Sequence, residues 1–381
     1  MAMSSRANIV VDPDGDLVVL LNPSTPDSQS STEMMSALNS TCSTPDTETS
    51  RDADVKKRAS LELEFLTSES NLFYDDRILV SSKHMSLASP VFKAMIKGEF
   101  PEEIVLPITG KLGLPLPNDD PLAMKILIYI IHGKMNMVPL KIDLELFTQI
   151  AISVDKYQCR EVVRLLPPIW KNGLSDTFET SWTNIARWVC IAWQFELEDE
   201  FLKATQMIRE KSDRSLESLM SSITYDLPIP KYVVDKLESC RLEGMQKTVK
   251  ILQDTINEYQ STSLICVAHE VPRVRSSSGK FYHFSDDLPS YKNDCDSMVL
   301  GTLIKSALSN GLYPLPEQPY NSWSLYSLTA KVDLLMPDSL CSKFANKDLE
   351  NHDVMGKIRE SIRAIDKSGL ALASFKGPSW W

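Results

Sequence analysis

The sequence predicts an α+β unit in the amino-terminal part of the chain, followed by a mainly α-helical carboxy-terminal region. Within residues 8–170, short β-branched and apolar runs typical of strands alternate with segments whose apolar residues recur at helical spacing. From Ser181 onward, helical spacing dominates. A length of 381 residues also suggests more than one domain. We therefore expect a first domain at residues 8–172 and a second at residues 173–381.

Composition excludes several classes of function. The formal charge is −11, from 51 acidic against 40 basic residues, which argues against a general nucleic-acid binder because such proteins need clustered Lys and Arg. The longest apolar block near the middle of the chain, Ile126–Ile131, is far shorter than the roughly 20 residues of a membrane helix, and the first residues lack the apolar core of a signal peptide. The seven cysteines form no CxxC pair, so we expect reduced thiols in a cytoplasmic or nuclear protein.

The first segment contains a strong turn signal. Two apolar runs within residues 8–21 flank Asp12-Pro13-Asp14-Gly15, which predicts a hairpin or a turn into a buried strand. Residues 23–50 then change in character, since 14 of these 28 residues are Ser or Thr. Such a stretch buries too little apolar surface to offset its ordering entropy, so we predict a disordered insertion at about 23–58.

The remaining elements follow from periodicity and from helix-stop signals. Short apolar runs predict strands at residues 61–65, 78–80 and 104–106. Helical spacing predicts helices at about 82–96, 120–132, 144–157, 160–166, 181–195, 201–208, 234–259, 298–308 and 352–366. The apolar stripe in 234–259 spans about two and a half heptads, which is short for a coiled coil. We therefore favour an intramolecular helical core there over a coiled coil.

Four segments, in this order along the chain, carry a resemblance to a known family. They are residues 14–19 (DGDLVV), 80–95 (VSSKHMSLASPVFKAM), 104–107 (IVLP) with 120–134 (DPLAMKILIYIIHGK), and 151–159 (AISVDKYQC). Together they make this part of the chain resemble the BTB/POZ domain, in the form common in filamentous fungi. The helices that follow resemble the carboxy-terminal half of the same fungal proteins.

The resemblance implies a small mixed sheet capped by helices, and a role in protein–protein association that often involves dimers. The family has no catalytic residues, and the sequence contains no GxGxxG, P-loop, GxSxG or HExxH motif. We therefore predict a non-catalytic protein–protein interaction protein without a cofactor. The expected core of the family motifs is Met85, Phe92, Met95, Tyr129, Gly133 and Tyr157.

One departure from the family pattern concerns dimerisation. Many family members carry a lysine or arginine where this chain has Ser82, and that base forms a charged pocket with the residue that matches Asp16. Ser82 cannot supply that charge, so we expect Asp16 to be solvated or paired elsewhere. The isolated protein is accordingly expected to be a monomer or a weak dimer.

Two alternative functions depend on short patterns. Phe100-Pro101-Glu102 matches the apolar-x-acid pattern that some BTB proteins present to a cullin, which would make the chain a substrate adaptor of a ubiquitin ligase. A three-residue pattern suits a solvated turn equally well, and we favour the turn.

The second alternative is a zinc-binding protein. Cys266 and His269 have two-residue ligand spacing, His283 and Cys295 follow, and Cys341 and His352 lie farther on. Buried cysteines without a metal are common, and no second knuckle of two-residue spacing is present. We therefore expect no metal.

Overall fold

The computed structural model describes residues 7–24, 73–97, 104–105, 111–179, 181–275, 277–283, 285–344 and 352–375. The chain divides into two compact units, residues 1–175 and residues 176–381. The strand predicted at 61–65 lies outside the described residues. So does the predicted insertion, except that Pro23 and Ser24 end a strand.

The first unit contains a five-stranded mixed sheet. Its strands are β1 (Ala7–Val10), β2 (Leu17–Ser24), β3 (Phe73–Val80), β4 (Ile104–Val105) and β5 (Leu112–Pro115), in the order β1-β3-β2-β5-β4. Strand β2 runs antiparallel to β3 and parallel to β5, whereas β1 runs parallel to β3. The predicted small sheet accompanied by many helices is therefore confirmed.

A hairpin between the first two strands is wrong, because β3 lies between them. The alternative prediction, a turn into a buried strand, is confirmed. Leu17, Val19 and Leu21 have no exposed surface, and the side chains between them are also buried. A strand that is apolar on both faces belongs in the middle of a sheet, with a partner along each edge. Strand β2 finds these partners in β3 and β5.

Six α-helices follow β3 along the chain: α1 (Ser82–Ala88), α2 (Pro90–Ile96), α3 (Pro121–Ile131), α4 (Leu144–Tyr157), α5 (Arg160–Val163) and α6 (Pro167–Lys171). The single helix predicted over the main family motif is thus two helices. Ser89 adopts an extended conformation (φ −145°, ψ 123°), and its hydroxyl accepts a hydrogen bond from the Phe92 amide to cap α2. Pro90 cannot donate to the preceding turn, which explains the break.

The second unit is mainly helical. Its helices are α7 (Trp182–Phe195), α8 (Glu198–Lys211), α9 (Leu216–Met220), α10 (Lys231–Gln260), α11 (Leu288–Ser309), α12 (Leu325–Asp333), α13 (Leu340–Phe344) and α14 (Val354–Arg363). Strands β6 (Arg273–Arg275) and β7 (Phe281–His283) form an antiparallel ribbon between α10 and α11. Among the described helices, none has both the length and the apolar character needed to cross a bilayer.

The apolar stripe of α10 packs within its own unit. Met245, Leu252 and Ile256 are buried in one cluster with Val299 of α11 and Leu328 of α12. The preference for an intramolecular core over a coiled coil is therefore confirmed. The long helix acts as the central element around which the later helices pack.

Candidate functional site

The carboxylate expected at a dimer interface is satisfied within the chain. Asp16 lies just before β2, where Oδ1 accepts a hydrogen bond from the Ser82 amide (2.7 Å) and Oδ2 accepts one from the Ser82 hydroxyl (2.6 Å). Partial burial raises the pKa of Asp16, but these hydrogen bonds bring it below the ordinary carboxyl value of 3.8. Asp16 is exposed, so the expectation that it is solvated is confirmed. What the sequence did not predict is that Ser82, although uncharged, still pairs with Asp16 through two hydrogen bonds.

Most of the residues expected in the family core are buried. Met85, Phe92 and Tyr157 have no exposed surface, and Met95 is 8% exposed. The rings of Phe92 and Tyr157 stack with centroids 4.1 Å apart and planes inclined by 13°.

Tyr129 and Gly133 differ from that expectation. Tyr129 is only half-buried, and Gly133 is exposed. Gly133 follows the end of α3 with a φ of 67°, a left-handed conformation that costs glycine little. Its role is therefore to end a helix, and a core position for Gly133 is wrong.

The four segments that carry the family resemblance meet around the pair α1 and α2. Ser82 at the start of α1 joins Asp16, and the Ser81 amide donates to Nε2 of His132 at 3.1 Å. The Ser89 hydroxyl between the two helices donates to the Tyr157 carbonyl oxygen at 2.6 Å. Residues far apart in the sequence are thus linked by specific contacts. Phe100 and Glu102, the residues of the cullin-like pattern, lie outside the described residues.

A cluster of cysteine and histidine side chains lies in the second unit. Cys266, Cys295, Cys341 and His352 are all buried, and one ligand atom from each lies within 4.8 Å of the other three. We call these four residues the Cys3His cluster. His269 and His283, which spacing had suggested as ligands, are both exposed and are not part of it. The structure therefore does not bring His269 and His283 to Cys266 and Cys295, and it places Cys341 and His352 beside them instead.

Each member of the cluster comes from a different segment. Cys266 follows α10, Cys295 lies in the second turn of α11, Cys341 lies in α13, and His352 precedes α14. The backbone at Cys266 is held by Asp296, whose Oδ2 accepts hydrogen bonds from the amides of Ile265 (2.8 Å) and Cys266 (3.2 Å). The intervals between the four residues match no short motif, so only their residue types signalled a site.

All six distances between the ligand atoms of the cluster are at most 4.8 Å, and three of them are much shorter. Cys341 Sγ lies 3.5 Å from Cys266 Sγ and 3.6 Å from Cys295 Sγ. Cys295 Sγ lies 3.3 Å from Nε2 of His352. A disulfide requires a sulfur–sulfur distance of about 2.05 Å, so these three cysteines are reduced.

Two tyrosines surround the cluster. Tyr259 Oη lies 3.4 Å from Nδ1 of His352, the nitrogen that faces away from Cys295 Sγ, and the Tyr291 hydroxyl donates to Cys341 Sγ at 3.7 Å. Burial raises the pKa of both phenols, which keeps them protonated as hydrogen-bond donors.

Three sulfurs and an imidazole nitrogen meet in the cluster. Hydrogen bonds from the Cys266 thiol and from His352 lower the pKa of Cys295, whereas burial raises the pKa of Cys341. Sulfur and imidazole nitrogen are soft ligand atoms, the kind that binds a thiophilic metal ion.

Comparison with known proteins adds no relative. A scan against protein-family models finds no match, and a search of the curated proteins likewise finds no similar sequence.

Proposed function

We propose that this chain is a non-catalytic protein–protein interaction protein whose first unit is an association module of the BTB/POZ type. The observation that supports this proposal is the meeting of the four family-like segments around α1 and α2. Ser82, Ser89 and Phe92 of this region each contact a residue from another of those segments. These contacts join the four segments in one packed region, as a single module of this kind requires.

The exposed side of α1 is the part of this module that we assign to association. Leu87 on α1 is 88% exposed, the highest value among the large apolar side chains of the described residues. Both oxygens of Asp16 already accept hydrogen bonds from Ser82, so a partner chain need not supply a base. This supports weak self-association rather than a tight dimer.

Sedimentation velocity of the full chain at micromolar and nanomolar concentrations tests the proposal. We expect a dimer fraction at micromolar concentration that disappears at nanomolar concentration. Leu87→Asp should abolish that fraction because it places a charge on the associating surface. Leu308→Asp, at a position 53% exposed in the second unit, is the matched control and should leave it unchanged. Equal loss in both variants, or no association of the wild type with itself or with any protein retained from cell extract, would count against the proposal.

A further inference from the structure

The carboxy-terminal unit contains a closed set of four metal-ligand atoms that the proposed association role does not use. We propose that the Cys3His cluster of Cys266, Cys295, Cys341 and His352 is a structural zinc site. This inference goes beyond the proposed function, because it concerns only the second unit and would stand if the first unit had no partner.

The geometry fits a tetrahedral ion. Zinc–sulfur bonds of about 2.3 Å give sulfur–sulfur edges of roughly 3.8 Å, and zinc–nitrogen bonds of about 2.0 Å give sulfur–nitrogen edges of roughly 3.5 Å. The observed edges are 3.5 and 3.6 Å between sulfurs and 3.3 Å between sulfur and nitrogen. Each of these three edges is within about 0.3 Å of the tetrahedral value, and the other three are at most 4.8 Å, so modest shifts of the side chains admit the ion.

The donor set selects the metal and the kind of site. Three sulfurs and one imidazole nitrogen favour zinc over magnesium or calcium, which prefer oxygen. All four ligands come from the protein, and His352, at 7% exposure, is the most exposed of them. A catalytic zinc keeps one position open for water or substrate, whereas four protein ligands fill a tetrahedral site. The site is therefore structural.

The contacts around the four ligands are those that a zinc site needs. Metal-bound histidines usually use their second nitrogen in a hydrogen bond, which fixes the ring. Here Tyr259 Oη lies beside Nδ1 of His352, and Nε2 faces the sulfurs. The Tyr291 hydroxyl donates to Cys341 Sγ, which would stabilise that sulfur as a thiolate. A cavity of about 130 Å³ lined by His352, Ser339 and Ser342 lies against the histidine side of the site.

The alternative to a zinc site is a small apolar core that contains three thiols and binds no metal. The cluster of buried residues around the site consists of Cys266, Ala268, Tyr291, Cys295, Leu340 and Cys341, so half of its members are cysteines. It is separate from the larger core of the same unit. Val271, Leu288 and Met298 pack against this cluster, which remains a small apolar core beside the five-residue helix α13. A metal supplies the cross-link that small cores commonly need.

Metal analysis of the purified full chain tests the site. We expect about one zinc ion per chain, and a cobalt(II)-substituted protein with the sulfur-to-cobalt charge transfer and visible bands of a tetrahedral site. Removal of zinc by a strong chelator should lower the thermal midpoint and make the three cluster cysteines reactive to alkylation. A small fraction of an ion per chain, or iron in place of zinc, would overturn the assignment.

Four variants separate the cluster from simple loss of folding. His352→Gln should lose most of the zinc, whereas His352→Cys retains four ligands and should keep it, with stronger sulfur-to-cobalt charge transfer. His269→Gln, at the exposed histidine of the Cys-x-x-His pattern, and Cys190→Ala, at a buried cysteine outside the cluster, should both keep about one zinc ion. Unchanged zinc content in His352→Gln, or loss in His269→Gln, would refute this ligand set. The cobalt spectrum of the wild type needs no variant and remains decisive if His352→Gln fails to fold.

Discussion

Truncation of Phe92 provides a quantitative test of how the first unit is held together. The side chain has no exposed surface and stacks on Tyr157, with ring centroids 4.1 Å apart. Removing about 150 Å² of buried aromatic surface at about 25 cal/mol per Å² gives a loss of about 4 kcal/mol. Phe→Ala changes in cores usually cost about 3–5 kcal/mol, because the remaining cavity closes only in part. We therefore expect Phe92→Ala to destabilise the first unit by about 3–5 kcal/mol.

Amide hydrogen exchange followed by mass spectrometry measures this effect in the full chain, because it reports the two units separately. Peptides from α4, which contains Tyr157, should exchange roughly 100- to 5,000-fold faster in Phe92→Ala than in the wild type, since each tenfold corresponds to about 1.4 kcal/mol. Leu87→Ala, at an 88% exposed position on the adjacent helix, is the matched control and should change stability by less than about 0.5 kcal/mol. If the amides of α4 exchange as slowly in Phe92→Ala as in the wild type, the packing of α2 against α4 is refuted.

Three further predictions concern a helix end, a carboxylate and a thiol. Gly133→Ala should lower the free energy of unfolding by about 1 kcal/mol, because φ is 67° at this position. Gly173→Ala, which also has open space around it, should be neutral or stabilising. Equal denaturant midpoints for the two variants would contradict this prediction. The hydrogen bonds from Ser368 lower the pKa of Asp366 from 3.8 to about 2, so their stabilisation is complete above pH 3.8 and is lost as the pH falls through about 2. Asp366 is largely exposed, so this loss should stay below about 1 kcal/mol, and an NMR titration giving an ordinary carboxyl pKa would exclude it. Burial raises the pKa of Cys159 to about 12, so iodoacetamide should not alkylate it in the folded protein, and rapid labelling in a peptide map would show that this part of the unit opens.

Local patterns in the sequence predicted most of the longer helices, but not α9, α12, α13 or the first ten residues of α11. Helix α4 has the predicted bounds of 144 and 157, because apolar residues at helical spacing and the capping side chain of Asp143 are signals within a few residues of one another. The stripe on α10 was also assigned correctly, since its length argued against a coiled coil. The break at Ser89 was missed, although Ser-Pro is itself a local signal of a new helix start.

The sheet was predicted less well, because strand pairing depends on distant residues. The turn at Asp12–Gly15 is a local signal. The antiparallel neighbour of β2, however, is β3, which begins only at Phe73. Strand β5 was not predicted, because Gly113 and Pro115 disfavour a strand by propensity. Its place beside β2 is decided by the hydrogen bonds that a central strand needs along both edges.

Which residue types the chain offers, and which helix faces are apolar, can be read from the sequence alone. In the sequence, the four residues of the Cys3His cluster are scattered among other cysteines and histidines. Spacing along the chain favoured His269 and His283 as the candidate histidines. The tertiary structure decided on Cys341 and His352 instead, which lie 46 and 57 residues beyond Cys295. Periodicity records that a face is buried but not what it packs against. A ligand set assembled from four segments depends on those packing partners, and therefore appears only when the helices are folded together.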